Sequence, residues 1–389
     1  MYSVLPLNKI AQIGLDQLPA DQFVVDNAAE NPDGILVRSA AMHDMTFGDH
    51  LLAIARAGAG TNNIPIDRCS EEGIVVFNTP GANANAVMEL SVAALLLASR
   101  DITGGNAWVR GIAEAGDQDV AKAVEKGKSA FVGPEIRNKT LGVIGLGAIG
   151  GKVANAGYAL HMNVIGYDPY LSVASALELS RAVKVVKTLE ELVAECDYIS
   201  IHVPYMDSTK HTINEALINQ MKDGVRILNL ARGELVDDDA MIAALESGKV
   251  ARYVTDFPNN KITLAKNVVA LPHLGASTPE SEDNCAVMAA EELTDYILNG
   301  NIRNSVNMPA CDMPRSGIVR LCVLHRNVPN MLSSFLSALS ADGANVENMV
   351  NKSRGDWAYT MIDFADEIPA AAVEHIGAMD GVVRVRTLH

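Results

Sequence analysis

Apolar residues in this chain gather into short clusters, separated by stretches where apolar and polar residues alternate at helical spacing. In the first part, clusters at 24–25, 35–37, 54–56 and 75–77 predict short strands with helices between them. Residues 86–100 predict a long helix that is apolar on nearly every side, and so buried, as expected at a seam between domains. The stretch 101–138 is more polar, and Gly133-Pro134 marks a loop. Strand signals recur at 141–144, 164–167, 198–202, 226–230, 252–255 and 268–271, with helical patterns between most of them, including 152–160. That rhythm predicts a doubly wound α/β sheet. A long helix rich in Glu and Ala follows at 280–299, and Asn, Pro and Ser at 301–316 predict a linker. The tail reads strand 318–324, helix 330–341, strands 346–352 and 359–364, helix 370–379 and strand 382–388. This β-α-β-β-α-β order is the ferredoxin-like split unit, whose exposed sheet edges favour pairing with a second copy.

The strand at 141–144 runs into Gly145-Leu146-Gly147-Ala148-Ile149-Gly150, which opens a helix. In that setting G-x-G-x-x-G signals dinucleotide binding. Gly145 permits the tight turn, Gly147 lets the backbone approach a pyrophosphate, and Gly150 lets helix and strand pack closely. The pyrophosphate then rests on the positive end of the helix dipole. Asp168 ends the next strand, 23 residues after Gly145. A carboxylate there accepts hydrogen bonds from both ribose hydroxyls and repels a 2′-phosphate, which favours NAD over NADP. Asp168-Pro169 is also a good turn pair, so a purely structural role stays open.

Charge and cysteine content narrow the partners. The chain has 389 residues, enough for two or three domains, with 31 basic and 47 acidic side chains for a net charge of −16. That balance argues against general nucleic-acid binding and against docking on anionic membranes, though arginines in a cleft can still hold an anionic substrate. Five cysteines without a C-x-x-C pair fit a reducing cytoplasm better than a disulfide framework or a zinc site. Residues 1–9 lack the features of a signal peptide, and no apolar run is long enough to span a bilayer, so a cytoplasmic protein is expected.

Two further residues sit at predicted strand ends, on the carboxyl edge where α/β sheets bind ligands. Arg232 follows the apolar strand at 226–230, and its guanidinium suits a bidentate grip on a substrate carboxylate. His273 follows the strand at 268–271, and an imidazole near a cofactor can take a hydroxyl proton as hydride leaves the same carbon. Taken alone, Arg232 could equally be a solvated loop arginine. His273 is one of nine histidines, and its position sets it apart from the other eight.

With these residues in place, the chain resembles the D-isomer-specific 2-hydroxyacid dehydrogenase family over nearly its whole length. Within the family it is similar to members acting on D-3-phosphoglycerate. The likeness lies in Val37-Arg38-Ser39, Arg56-Ala57-Gly58-Ala59-Gly60-Thr61-Asn62-Asn63, Phe77-Asn78-Thr79-Pro80-Gly81 and Pro272-His273-Leu274-Gly275-Ala276-Ser277-Thr278. The resemblance implies a flavodoxin-like substrate domain (1–98, with a returning helix at 275–305) and an inserted Rossmann-type NAD domain at 99–274. A linker at 306–316 and a regulatory module of the ACT kind at 317–389 would follow. It implies NAD-dependent oxidation of D-3-phosphoglycerate to 3-phosphohydroxypyruvate, the first step of L-serine synthesis, by a homodimer or homotetramer. Arg38 and Ser39 would contact substrate phosphate or carboxylate, and backbone N–H groups around Ala59 and Gly60 would hold the carboxylate. Asn83 would line the cleft, Arg232 would orient the substrate, and His273 would be the acid/base. Ala148, Ile149, Asp168, Val203, Pro204, Leu230, Ala231 and Asp256 fall where the family contacts NAD. No metal is implied.

The chain departs from the family in one stretch. Where relatives carry D-x-F-P-x-E-P, with a glutamate that supports the charged histidine, this chain reads Asp256-Phe257-Pro258-Asn259-Asn260-Lys261. Asn260 or Lys261 takes the glutamate's place, and a lysine beside His273 would lower its pKa. Glu234 or Glu280 could substitute, His273 could work unaided, or activity could be reduced; a working enzyme with a shifted pH profile is expected. In the tail, His325, Asn327 and Asn345 match positions that bind L-serine between two modules, although Val328-Pro329-Asn330 departs from the usual turn. The alternative for the tail is pairing alone. For the whole chain the alternatives are a dehydrogenase of another 2-hydroxy acid, such as glycerate/hydroxypyruvate, or a non-catalytic protein sensing NAD or an amino acid. Retention of both Arg232 and His273 argues against the latter.

Overall fold

The computed structural model describes residues 1–116, 119–341 and 343–389. Five strands open the chain: β1 (Tyr2–Leu7), β2 (Phe23–Val25), β3 (Gly34–Val37), β4 (Ala53–Arg56) and β5 (Val75–Asn78). They form an all-parallel sheet in the order β2-β1-β3-β4-β5, the flavodoxin-like arrangement. The sequence pattern missed β1. Its residues Tyr2-Ser3-Val4-Leu5-Pro6-Leu7 carry apolar side chains, but Pro6 interrupts the run and only Val4 is fully buried, so the stretch does not stand out as a strand.

Seven more strands make a second parallel sheet: β6 (Thr140–Ile144), β7 (Asn163–Tyr167), β8 (Lys184–Val185), β9 (Tyr198–Ile201), β10 (Val225–Asn229), β11 (Val250–Thr255) and β12 (Val268–Ala270). The order is β12-β11-β10-β9-β6-β7-β8. The chain runs outward from β6 and then returns to the other side of β6 at β9, which creates the switch point where Rossmann sheets bind nucleotides. The helix expected at 86–100 runs Ala84–Ser99; its Ala94, Leu95 and Ala98 share a core with Leu141, Val143, Leu228 and Val254, but the expected all-round burial fails on the face of Asn85, Glu89, Ala93 and Leu96, which is exposed. The polar stretch after it folds into helices Ile102–Ala115 and Val120–Gly127. Their start signals are the side-chain caps Asp101, which accepts from the Gly104 N–H, and Asp119, which accepts from the Ala121 and Lys122 N–H groups.

The tail forms an antiparallel sheet of β13 (Val319–Arg326), β14 (Val346–Arg354), β15 (Trp357–Phe364) and β16 (Val382–Leu388), in the order β14-β15-β13-β16. On one face Leu321, Val323, Ile362 and Phe364 pack on Phe335, Leu339 and Ile376, which come from helices Met331–Ala341 and Ala370–Gly377. The opposite face is buried too. Cys322, Leu324, Tyr359 and Met361 join a core with Leu293, Tyr296 and Ile297 of the helix Pro279–Asn299 and with Leu36, Ala55 and Val75 of the first sheet. The linker expected at 306–316 is irregular but packed. Met308, Cys311 and Met313 lie in that same core, and buried Asn307 hydrogen-bonds Val76, Ser70 and Ile74. Asn and Pro in this stretch suggested a loose connection; the apolar residues between them anchor it.

The chain accordingly divides into two compact units, Met1–Ala82 with Glu282–His389, and Asn83–Ser281. The helix Ala84–Ser99 belongs to the second. Among the described residues no helix is long and apolar enough to cross a membrane, and no group of side chains is placed to hold a metal.

Candidate active site

In the second unit the functional candidates other than Asn83 follow the carboxyl ends of strands. Gly145 leaves β6 at φ +89°, a conformation that favours glycine, and a Cβ there would lie 2.6 Å from the His202 carbonyl oxygen. A Cβ on Gly150 would lie 1.8 Å from the Gly145 carbonyl oxygen, so turn and helix can close only on glycine. Gly147 differs: a Cβ there would meet nothing within 4 Å, because its open side faces away from protein. It precedes the helix Ala148–Ala159, whose first turn, with Ala148, Ile149 and Gly150, has no side-chain cap. An uncapped helix start beside an open glycine fits a bound pyrophosphate. Asp168 lies just past β7; its carboxylate accepts from the Leu146 N–H at 2.9 Å and the Tyr170 N–H at 2.8 Å, which ties it to the glycine loop. Both bonds are consistent with a role in binding ribose, and with the turn role as well. Val203 is half-buried and Pro204 exposed beyond β9. Beneath the loop, His202 bonds the Ser200 hydroxyl at 2.8 Å, and burial pulls its imidazole down to about 4, which keeps it neutral.

Past β10, Leu230 is buried, Ala231 half-buried and Arg232 exposed. Asn229, fully buried at the strand's end, shapes this loop: its Nδ2 donates to the Arg232 carbonyl at 2.7 Å, and its Oδ1 accepts from the Ala231 N–H at 3.2 Å. Arg232 also donates from Nη1 to the Ala231 carbonyl at 2.6 Å, and its guanidinium lies 5.6 Å from the centre of the Phe257 ring. His273, exposed, packs on the same ring with centroids 4.5 Å apart. Phe257 thus gathers the two groups that sequence placed on separate strands. Asp256, next to it, is 1% exposed. Burial pushes its carboxyl up, while His273, the backbone at Asp256 and Gly275, and Arg232 pull it back.

The stretch standing where a glutamate was expected turns elsewhere. Asn259 accepts from the Lys261 and Ile262 N–H groups and donates to Asp238 at 2.8 Å. The Lys261 ammonium pairs with Asp239, in the first turn of the helix Asp238–Ser247. The carboxylates of Glu234 and Glu280 are exposed, with no hydrogen bond or ion pair among the described residues.

In the first unit, Arg38 and Ser39 follow β3, and Ala59 and Gly60 follow β4. Asn8 accepts from the Ser39 N–H at 3.1 Å, Arg56 donates to the Arg38 carbonyl at 3.1 Å, and Asn78 donates to the Ala59 carbonyl at 2.6 Å. These bonds draw the three loops into one surface. Arg38 itself is held by Glu282 at 2.7 Å, from a helix 244 residues further along. No local signal in the sequence could have shown that pairing. Asn83 belongs to the second unit, just before the helix Ala84–Ser99.

In the tail, Asn327 and Asn345 are exposed, but His325 is 2% exposed. Its Nδ1 lies 2.8 Å from the Arg326 carbonyl and its Nε2 2.9 Å from the Thr360 hydroxyl, so both ring nitrogens are engaged within the sheet, and burial lowers its pKa. The spacing that marked it as an effector contact does not report that its side chain points inward against Phe335.

A Rossmann unit carrying a guanidinium and an imidazole on the same strand edge as its nucleotide loop, together with a flavodoxin-like unit, defines a two-domain, nucleotide-linked dehydrogenase. The comparisons agree: residues 92–275 match the model of the D-isomer specific 2-hydroxyacid dehydrogenase NAD binding domain. The D-3-phosphoglycerate dehydrogenase of Haemophilus influenzae is 32% identical over 87% of this chain and 82% of its own length. That of Archaeoglobus fulgidus is 36% identical over 72% of this chain, which spans only 52% of that longer protein. Among solved structures, NAD+-bound 3-phosphoglycerate dehydrogenase of Entamoeba histolytica is 26% identical, with a TM-score of 0.59 over 79% of this chain and 98% of that one. The chain belongs to the D-isomer-specific 2-hydroxyacid dehydrogenase family.

Proposed function

We propose that this chain oxidises D-3-phosphoglycerate at C2 to 3-phosphohydroxypyruvate, the reaction that opens L-serine synthesis. The observation that carries the reading is Arg232 and His273 meeting on the Phe257 ring, at the strand edge that also bears the glycine loop. The relatives named for this activity support the substrate. Bound NAD supplies the hydride acceptor; Gly145, Gly147, Gly150, the helix start at Ala148 and Asp168 would hold it. Arg232 grips the substrate carboxylate and fixes the orientation of C2. His273 takes the C2 hydroxyl proton as the C–H bond breaks, and returns it to water afterwards. Arg38, Ser39, the Ala59–Gly60 backbone and Asn83 provide the remaining substrate contacts.

For the tail we infer an amino-acid-binding module that pairs with a second copy. Exposed Asn327 and Asn345 and the exposed edge strand β14 support this, while His325 would have to leave its bonds to take part. The test of the activity is NADH oxidation with 3-phosphohydroxypyruvate, hydroxypyruvate and 2-oxoglutarate. The highest kcat/KM is expected for the phosphorylated substrate. Absence of turnover with all three would sink the reading.

A further inference from the structure

Between β3 and β4 the chain crosses from one strand to a parallel neighbour, a connection that usually carries a helix. Residues 38–52 contain none. A loop of that length leaves many backbone groups to be satisfied by other means, and side chains from flanking segments do it here. At the near end, Asn8 Oδ1 accepts from the Ser39 N–H at 3.1 Å and the Ala40 N–H at 2.5 Å, and Asn63 Nδ2 donates to the Ala40 carbonyl at 2.8 Å. Further along, Arg68 takes over, from the helix Ile66–Glu71. Its Nη1 donates to the His43 carbonyl at 3.2 Å, and its Nη2 to those of Met45 at 2.7 Å and Met42 at 3.4 Å. The guanidinium also lies 4.4 Å from the centre of the Phe47 ring.

Arg68 thus directs its hydrogen bonds to main-chain oxygens of a single loop. Its carboxylate neighbour, Glu72, lies 3.8 Å from Nε, and both side chains are partly exposed, so that pair is weak. A guanidinium holds its donors in one rigid plane, so the three carbonyls and the ring it meets are fixed relative to one another and to the helix. The fully buried Met42, packed with Ile64, Cys69 and Ile74, is the loop's apolar anchor beside these bonds. Arg38 and Ser39 begin this loop, and Met42 comes three residues after Ser39. Asn8 therefore fixes the near end of the short segment that bears them, and Arg68 the far end.

We propose that Arg68 is the positioning residue of this loop, holding residues 38–48 so that Arg38 and Ser39 meet the phosphate of 3-phosphoglycerate. This rests on the oxidation proposed above, in which Arg232 and the Ala59–Gly60 backbone take the carboxylate and leave the phosphate to Arg38 and Ser39. Arg68 touches no substrate and moves no proton. Its effect is preorganisation: a loop already ordered does not have to be ordered by the substrate. That benefit is the same in the ground state and the transition state, so it acts on KM and leaves kcat alone. It is also larger for a substrate that carries the phosphate than for one that lacks it.

Arg68→Met keeps the apolar stem and removes the guanidinium. Hydrogen exchange in peptides covering 39–48 should quicken about tenfold or more, while peptides covering 53–56 and 141–144 hold their protection. KM for 3-phosphoglycerate should rise about tenfold, with kcat and KM for NAD nearly unchanged, and the preference for 3-phosphohydroxypyruvate over hydroxypyruvate in kcat/KM should fall about fivefold. Arg68→Lys, whose ammonium reaches a carbonyl but cannot span three, should show both effects at smaller size, and it carries the test if the methionine variant does not fold. Unchanged exchange in 39–48 with native circular dichroism overturns the proposal. So does faster exchange with an unmoved KM and an unmoved preference, which would make Arg68 a structural clamp only. If the unmodified chain turns over none of the three 2-oxo acids, it is the oxidation that fails; the exchange, which needs no substrate, still decides for or against the hold on the loop.

Discussion

Glu292 shows what a single side chain can do to this fold. It lies 8% exposed in the helix Pro279–Asn299, accepts one hydrogen bond from Asn304 Nδ2 at 2.6 Å, and leaves Oε2 without a partner. Burial pushes its carboxyl up to about 8; the Asn304 bond opposes this and neighbouring Glu291 adds to it. An unfolded glutamate titrates near the ordinary carboxylate value, so the folded chain holds a proton that the unfolded chain releases. The contribution is therefore fully present below the unfolded pKa and declines as pH rises toward about 8. Glu292→Gln, which cannot ionise, should flatten that decline. Thermal scans between about pH 5 and pH 9 should show the unmodified chain losing several degrees relative to the variant, mostly below pH 8. Parallel curves for the two proteins would show that Glu292 is ionised in the fold. A heptad or strand pattern cannot reveal such a residue, because a glutamate on a helix reads as a solvated one. Gly145, Gly150 and Asp168 could be singled out in the sequence because a short glycine motif and a fixed spacing to the next strand's end mark them, although their contacts reach as far as Leu146 from Asp168 and His202 from Gly145.

The helix Pro279–Asn299 links the loops of the first sheet to the tail. Its first turns place Glu282 on Arg38 at 2.7 Å, and its last carbonyls, at Tyr296, Ile297 and Asn299, accept from Arg386 and Arg320. Cationic side chains at the carboxyl end of a helix are the favourable arrangement for its dipole. At the other end, a carboxylate on Arg38 competes with any anionic group that would bind there. Both partners are about 40% exposed (39% and 42%), so the pair adds little to stability. Glu282→Gln should thus leave the thermal midpoint within about a degree, while KM for 3-phosphoglycerate falls roughly two- to fivefold at constant kcat. Initial rates over a substrate series would show this, and the gain should shrink with added salt. A raised KM would mean that Glu282 holds Arg38 in its binding orientation and does not compete with substrate. The helix itself was plain in the sequence from its length and composition. Its two sets of partners were not, since they lie on loops and strands remote in the chain.

In the molecule as a whole, strand rhythm marked both parallel sheets apart from β1 and the two-residue, exposed β8, and it marked the ferredoxin-like tail, because buried parallel strands are near-continuous apolar runs. It did not show that the tail's second face would be buried. Cys322, Leu324, Tyr359 and Met361 alternate with residues facing the tail's own helices, so β13 and β15 are apolar on both sides, a pattern that a one-layered module would not need. Tail and first sheet share one core, and a buried fork secures it. Arg320 and Asp363, 1% and 0% exposed, meet at 2.6 and 2.8 Å; Arg320 also donates to the Asn299 carbonyl, and Asp363 accepts from Ser316. Burial would raise the Asp363 pKa, but the bonds from Arg320 and Ser316 hold it below the usual carboxylate range. Asp363→Asn leaves the guanidinium unpaired in a dry site, at a cost of about 3–5 kcal/mol. If the tail were an appended module, that loss would stay within it. With a shared core, hydrogen exchange in the variant should rise together in 319–326, 357–364 and 279–299, and in the first sheet at 34–37 and 53–56. Peptides covering 141–144 and 198–201, in the other unit, should keep their protection. Loss confined to residues beyond 317 would show that the tail unfolds independently and that its contact with the long helix is a docking surface, not a common core.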